Sequence, residues 1–298
     1  MAGMTVAYLG LGIMGGPMAR HLASKGHAVR GFNRSPGKAN ALTQFGVTAC
    51  ATPAEAAKGA RIVFTCVGDS PDVREVLFGK SGAAESAAPG TLFVDHTTIA
   101  PGDARGIEAD CRAKGLRFLD APVTGGQKGA EEGALTVMCG GAREDFDFAK
   151  PIIESYAKKV GYIGAAGMGQ VAKACNQVLV VNNILGAAEA LLLADSLGAD
   201  PTTIWETIKD GAAGSWAFTV YGPKMLKGDD SPGFKVQHQQ KDLRIALQAA
   251  REAGAPLPGT ALIHELYKVV QNRGGDACGN HTLLRALQVM SGASWSAK

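Results

Sequence analysis

The start of the chain constrains its fold most. Gly10-x-Gly12-x-x-Gly15 follows directly on the compact apolar run Thr5–Leu9 and leads into a helical stretch, Gly15–Lys25, with Gly26 as its stop. Strand, glycine turn and helix in that order open a βαβ unit that cradles a dinucleotide. The first glycine allows the tight turn. The second lets backbone approach a pyrophosphate, and the third lets helix and strand pack closely with the helix N-terminus facing the anion. In a chain with 40 glycines the bare pattern says little; its place between strand and helix gives it meaning. Gly10, Leu11, Gly12, Ile13, Met14 and Gly15 are the expected nucleotide-binding residues.

The alternation continues downstream. His27–Phe32, Arg61–Val67, Thr91–Val94 and Leu116–Leu119 read as short strands, and Pro101–Lys114 as a helix between two of them. Strands separated by helices imply a parallel sheet. The character changes after Gly161. Gly169–Leu197 is a long helical run rich in Ala and Leu; Gly198 suits its C-terminal cap and Pro201 can start the next helix. Further helical stretches lie near Lys241–Ala253 and Thr260–Gln271, and no strand is expected beyond Gly169. The expected fold is an α/β Rossmann domain, doubly wound with a mostly parallel sheet, followed by an all-α C-terminal domain. The expected domains are 1–165 and 166–298, with the boundary in the glycine-rich stretch Gly164–Gly169.

Composition removes several classes. With 46% hydrophobic and 19% charged residues the chain is globular, and a net charge of +3 with dispersed basic residues gives no footing for nucleic acid. Six cysteines without a C-x-x-C pair make neither a disulfide framework nor a zinc site and suit a reducing cytosol. The N-terminus lacks a basic leader region, so a cytoplasmic protein is expected. The most apolar run, Val178–Leu193, is broken by Asn182, Asn183 and Glu189 and falls short of the roughly 20 residues a bilayer requires. No membrane partner is expected. The same helix is too apolar for a solvent face, so a homodimer or homotetramer is expected. No metal is expected, because the histidines show no ligand spacing, and His96 reads as a loop or core residue. There is no G-x-S-x-G elbow for a serine hydrolase.

The end of the second strand bears on cofactor choice. An NAD site usually carries an acidic residue there for the ribose 2′-hydroxyl. Here the strand ends in Phe32-Asn33-Arg34-Ser35, with Lys38 close by and no carboxylate. Asn33 and Ser35 can hydrogen-bond a phosphate and Arg34 offers a planar fork for it. NADP(H) is therefore the preferred cofactor, with NAD(H) as the alternative.

A later segment supplies candidate chemistry. Lys173 lies near the start of the long helix, with Asn176 and Gln177 at i+3 and i+4 on the same face. A partly desolvated lysine near a helix N-terminus suits a general acid that protonates a carbonyl oxygen, although a solvated lysine on an amphipathic helix is the commoner case. Thr124-Gly125-Gly126 follows the strand ending at Leu119, at the carboxyl edge of the sheet where Rossmann ligands bind. Its hydroxyl and backbone N–H groups can hold a carboxylate.

Four blocks in order carry a resemblance. Leu9-Gly-Leu-Gly-Ile-Met-Gly15-Gly-Pro-Met18-Ala, Asp120-Ala-Pro-Val-Thr124-Gly125-Gly126, Gly167-x-Gly169-x-x-x-Lys173-x-x-Asn176-Gln177 and Lys241-Asp242-Leu243 together resemble the β-hydroxyacid dehydrogenase family. That family includes 3-hydroxyisobutyrate dehydrogenases, tartronate semialdehyde reductases and glyoxylate/succinic semialdehyde reductases. The resemblance implies an NADPH-dependent oxidoreductase interconverting a small β-hydroxyacid and its semialdehyde or keto acid. It places the catalytic lysine on Lys173 and the substrate contacts on Thr124, Gly125, Gly126 and an amide of Asn176 or Gln177. It adds Val67, Thr97, Thr98 and Lys241 to the cofactor set. Family members mostly carry Ser where Thr124 stands, and Leu-Pro where Val67-Gly68 stands. Two other readings share the fold. An imine reductase typically replaces the lysine that this chain keeps, and an inactive nucleotide-sensing relative would not need Lys173 or Thr124.

Overall fold

The computed structural model describes residues 3–292. The chain divides into two compact units, Met1–Lys173 and Ala174–Lys298.

The first unit alternates strand and helix: β1 (Thr5–Leu9), α1 (Gly15–Ser24), β2 (Ala28–Phe32), α2 (Pro36–Asn40), β3 (Val47–Ala49), α3 (Pro53–Ala57), β4 (Ile62–Thr65), α4 (Ser70–Phe78), β5 (Leu92–Asp95), α5 (Pro101–Ala113) and β6 (Arg117–Asp120). The order β3-β2-β1-β4-β5-β6 is parallel throughout and reverses direction between β1 and β4, the switch point where doubly wound sheets bind ligands. Register aligns the strand ends: Leu9 pairs with Phe32 and Thr65, Thr65 with Asp95, and Asp95 with Asp120. The loops after β1, β2, β4, β5 and β6 therefore leave one common rim.

A segment the sequence reading left undivided completes the sheet. It holds β7 (Val123–Thr124), α6 (Gly126–Glu131), β8 (Leu135–Gly141), α7 (Arg143–Ile153) and β9 (Ala157–Gly164). β8 runs antiparallel to β6 and then to β7, and pairs with β9 on its other edge. The sheet is buried on both faces. Val6, Tyr8, Phe64 and Val94 pack towards Met18 and Leu22 of α1, while Ala7, Leu9, Val63 and Phe93 pack towards Val73, Leu77 and Ile107 of α4 and α5. Each such large side chain contributes roughly 1.5–3 kcal/mol by leaving water.

α8 (Met168–Ser196) runs across the division at Lys173 and is followed by α9 (Pro201–Ile208), α10 (Trp216–Lys227), α11 (Val236–Ala253), α12 (Pro258–Gln271) and α13 (Leu284–Ser291). By length and composition alone α8 could cross a membrane, which the interrupted run Val178–Leu193 did not indicate. Core helices of water-soluble proteins meet the same criterion, and Val181, Ile184, Ala188 and Leu191 of α8 lie in the core of the second unit. Asp200 caps α9 by accepting from the N–H groups of Thr202 and Thr203, one residue before Pro201. α11 begins at Val236, five residues ahead of the expected Lys241–Ala253 stretch, and Asp242 is buried in the helix interior.

Candidate active site

The glycine loop is built as its sequence demands. Gly10 has a φ of +94°, and a Cβ there would be driven into the Cys66 carbonyl; a Cβ on Gly15 would meet the Gly10 carbonyl. These two glycines are required by the protein's own packing. At Gly12 a Cβ would meet nothing within 4 Å, so this glycine keeps space open over the loop. A dinucleotide pyrophosphate fits that opening, with the N-terminus of the ten-residue α1 behind it. Leu11, Gly12 and Ile13 also border a surface groove of about 460 Å³, edged by Arg20 and Lys38.

The structure assigns Asn33 differently from the sequence reading. Its Oδ1 accepts from the Leu11 N–H at 2.9 Å and its Nδ2 donates to the Ser35 carbonyl at 3.1 Å. Asn33 thus holds the glycine loop to the end of β2, with its oxygen and one amide hydrogen engaged where a phosphate partner was expected. Arg34 remains outside, with its side chain 91% exposed and 3.5 Å from the Asp72 carboxylate. Ser35 precedes α2 and its hydroxyl makes no capping bond.

Thr97 departs from expectation in the same way. It is buried, its backbone N–H donates to Asp95, and its Oγ1 accepts from the Val67 N–H at 3.1 Å. It joins the loops after β4 and β5, which fixes Val67 rather than presenting a hydroxyl to solvent. Thr98, the next residue, is half-buried.

Thr124 closes β7, paired with Thr136 of β8, and Gly125 and Gly126 follow with φ of +126° and +62°. Two successive left-handed residues turn the chain sharply into α6, a conformation that residues with a Cβ resist. Lys173 is 6% exposed and its Nζ donates to the carbonyl of Val123 at 3.0 Å. Lysine is almost never buried without a partner. Here it is held against the residue immediately before Thr124.

Two residues that the sequence reading did not single out organise this corner. Asp120, at the end of β6, accepts from the N–H of Gly167 at 2.7 Å and of Gln170 at 2.9 Å. Burial pushes its carboxyl up to about 6, against the pull of those N–H groups. Gln170 accepts from the Ile99 N–H at 3.1 Å and donates to the Thr97 carbonyl at 2.8 Å. A carboxylate at a strand end followed, far along the chain, by a glycine-rich helix start was the available signal. His96 is a core residue, bonded to the Ala121 carbonyl and the Tyr156 hydroxyl, and burial lowers it to about 4.

In the second unit, Asn176 donates to the Gln177 side chain at 2.9 Å, and Gln177 donates to Asp242 at 2.7 Å. Lys241 lies 3.3 Å from the other oxygen of that buried carboxylate. Among the described residues no three His, Cys, Asp or Glu side chains are grouped to hold a metal.

Comparison with known proteins places the chain in a family. Residues 5–164 match the family described as the NAD binding domain of 6-phosphogluconate dehydrogenase, and residues 167–287 match that described as NAD-binding of NADP-dependent 3-hydroxyisobutyrate dehydrogenase. The 2-hydroxy-3-oxopropionate reductase of Escherichia coli is 37% identical over 288 residues, covering 97% of this chain and 98% of the reductase. The chain belongs to the β-hydroxyacid dehydrogenase family. Among solved structures, this family member resembles the 3-hydroxyisobutyrate dehydrogenase of Mycobacterium tuberculosis, solved with L-serine. The two are 32% identical with a TM-score of 0.87, covering 97% of this chain and all of the other. An uncharacterized oxidoreductase of Synechocystis is 42% identical over 94% of this chain and 97% of its own. This β-hydroxyacid dehydrogenase homologue is accordingly an NAD(P)-dependent oxidoreductase with an N-terminal Rossmann domain and a helical C-terminal domain.

Proposed function

We propose that the chain reduces a short aldehyde bearing a carboxylate, with NADPH preferred, and oxidises the corresponding β-hydroxyacid in reverse. The observation that carries the reading is Lys173, buried and held by the Val123 carbonyl beside the Thr124-Gly125-Gly126 turn. A lysine so placed is suited to move one proton at one atom. In reduction Nζ gives its proton to the substrate carbonyl oxygen, and in oxidation it takes the proton from the hydroxyl. The Thr124 hydroxyl and the N–H groups of Gly125 and Gly126 would hold the substrate carboxylate. Gln177 is buried and donates to Asp242, whereas Asn176 is half-buried, so Asn176 is the better candidate for a substrate contact.

The nicotinamide cofactor, when bound, supplies or accepts the hydride. Gly10–Gly15 would hold its pyrophosphate and Arg34 its 2′-phosphate, with Ser35, Val67 and Thr98 bordering it and Lys241 a further candidate contact. Relatives named for 2-hydroxy-3-oxopropionate and for 3-hydroxyisobutyrate support a small β-hydroxyacid substrate, and one family description names NADP. Leu179, Leu193 and Leu197 are exposed along and just beyond α8, which supports self-association into a dimer or tetramer.

A substrate panel tests the proposal. With NADPH, succinic, tartronic and methylmalonic semialdehydes should be reduced far better than neutral aldehydes of equal length. Charge-assisted hydrogen bonds contribute about 1.5–3 kcal/mol each, so two of them correspond to roughly 100-fold or more in kcat/KM. Equal efficiency on butanal and succinic semialdehyde would remove the carboxylate site and with it the substrate class.

A further inference from the structure

Lys173 can transfer a proton to a fixed point only if the start of α8 is itself fixed. Its Nζ bond to Val123 sets the tip of the side chain, but not the helix that carries it. The backbone of that helix start is held by two clamps. Asp120 grips it with both carboxylate oxygens, one on the Gly167 N–H at 2.7 Å and one on the Gln170 N–H at 2.9 Å. Gln170 in turn reaches the loop after β5, at the Thr97 carbonyl and the Ile99 N–H. Gln170 lies three residues before Lys173, on the same helical face.

The surroundings are shaped for this grip. A Cβ on Gly140 would lie 2.7 Å from the Asp120 Oδ1 and 2.7 Å from the Gly169 nitrogen. A Cβ on Gly169 would lie 2.7 Å from the Asp120 carbonyl and 2.8 Å from its Oδ2. Two glycines on different elements therefore leave the room that the carboxylate and the helix start share. Asp120 is fully buried, so it touches neither solvent nor substrate. Among the described residues no basic side chain is paired with it; burial disfavours its charge, and backbone N–H groups are what hold it.

We propose that Asp120 is a positioning residue for Lys173: its carboxylate, bridging the Gly167 and Gln170 N–H groups with Gln170 as the second clamp, fixes the start of α8 so that Nζ sits at a single distance from the reacting carbonyl. This rests on the reading of Lys173 as proton donor. Val123, whose carbonyl receives Nζ, is only three residues beyond Asp120. One short segment thus holds both ends of the lysine, its helix through Asp120 and its tip through Val123.

The test is a double-mutant cycle on the full chain with Asp120→Asn, Asp120→Ala and Lys173→Ala, reading kcat, KM for both substrates, NADPH affinity by fluorescence titration, and Tm. Asp120→Ala should lower kcat about 100-fold, and Asp120→Asn, which keeps one acceptor oxygen, should recover about tenfold of that. NADPH affinity should stay within twofold, because the glycine loop is untouched. In the Lys173→Ala background Asp120→Asn should change kcat by less than twofold, since a residue acting through Lys173 has nothing left to position. A kcat within twofold of parent in Asp120→Ala, or an equal loss with and without Lys173, overturns the proposal. If Asp120→Ala does not fold, Gln170→Met gives the same readings by removing the second clamp. Near-parent turnover of Lys173→Ala alone would instead show that the proton-donor reading has failed, a result distinct from a failed clamp.

Discussion

Replacing Lys173 by Met keeps the length of the stem and removes only the ammonium group. The structure separates two consequences. Val123 loses the N–H that donates to its carbonyl at 3.0 Å, and a buried acceptor left unpaired costs about 1–3 kcal/mol. Methionine avoids burying a charge, which offsets part of that, so Tm should fall by no more than about 5–10 °C. The catalytic loss should be larger and of a different kind. Removing a positioned general acid costs about 100- to 10,000-fold in rate, equivalent to about 3–5 kcal/mol of barrier. Steady-state turnover of succinic semialdehyde with NADPH, at a temperature where parent and variant are both fully folded, should show this in kcat with NADPH affinity preserved. Lys173→Arg sharpens the experiment. It can still donate to the Val123 carbonyl, but a guanidinium does not release its proton near neutral pH. Its kcat should fall nearly as far as that of Met while its Tm stays closer to parent. Turnover within threefold of parent in either variant would refute the assignment.

Three further outcomes follow from the rim of the sheet. Arg34→Asp should reverse or erase a preference for NADPH over NADH, read as the ratio of kcat/KM values, because it puts a carboxylate where the 2′-phosphate would lie; an unchanged ratio would remove Arg34 from the cofactor site. Thr124→Val keeps the shape of the turn but deletes the hydroxyl, so KM for an acidic aldehyde should rise about 10-fold or more while a neutral aldehyde is unaffected. Gly10→Ala combines a φ of +94° with collision against the Cys66 carbonyl, so denaturant unfolding should show a loss of more than about 2 kcal/mol; a fully stable, cofactor-binding variant would contradict the loop geometry.

Much of the fold was legible because its signals are local. The glycine loop sits between a strand and a helix, and the strand starts and ends read from β-type runs agree to within two residues for β1, β2, β4, β5 and β6. The antiparallel end of the sheet was not legible. β7 is two residues long and β8 ends in two glycines, so neither shows a clear strand period. α10 contains Gly222 and Pro223 in its interior, which local rules read as a break. The site divided in the same way. Lys173, Thr124, Gly125 and Gly126 follow from residue type and place on the chain. What the sequence could not give was who holds whom. Asn33 and Thr97 carry the right chemistry for a ligand, yet spend it on the N–H groups of Leu11 and Val67. Asp120 and Gln170, 50 residues apart, become partners only when β6 ends beside the start of α8.

His96 and Asp120, both buried at this rim, pull stability in opposite directions with pH. His96, stacked on Phe64 and bonded to Tyr156, is lowered by burial from 6.5 to about 4. The unfolded chain binds that proton more tightly, so the stability contributed by neutral His96 is present above 6.5 and lost as pH falls towards 4. Asp120, which pairs with Asp95 of β5 in register, is itself raised by burial from 3.8 to about 6. Its sign is reversed: its contribution is fully present below 3.8 and lost as pH rises through 6. At 1.36 kcal/mol per pH unit each effect amounts to about 3 kcal/mol, across nearly the same window, so in the parent they largely cancel. Removing either group should expose the other. Asp120→Asn should lose stability steadily on acidification from pH 6.5 to 4, relative to parent at each pH. His96→Gln, which keeps an amide near the Ala121 carbonyl and the Tyr156 hydroxyl, should instead gain stability relative to its own value at pH 7 over the same range. Urea unfolding at half-unit intervals of pH measures both curves. If the two variants run parallel to parent from pH 4 to 6.5, neither group titrates as its burial requires.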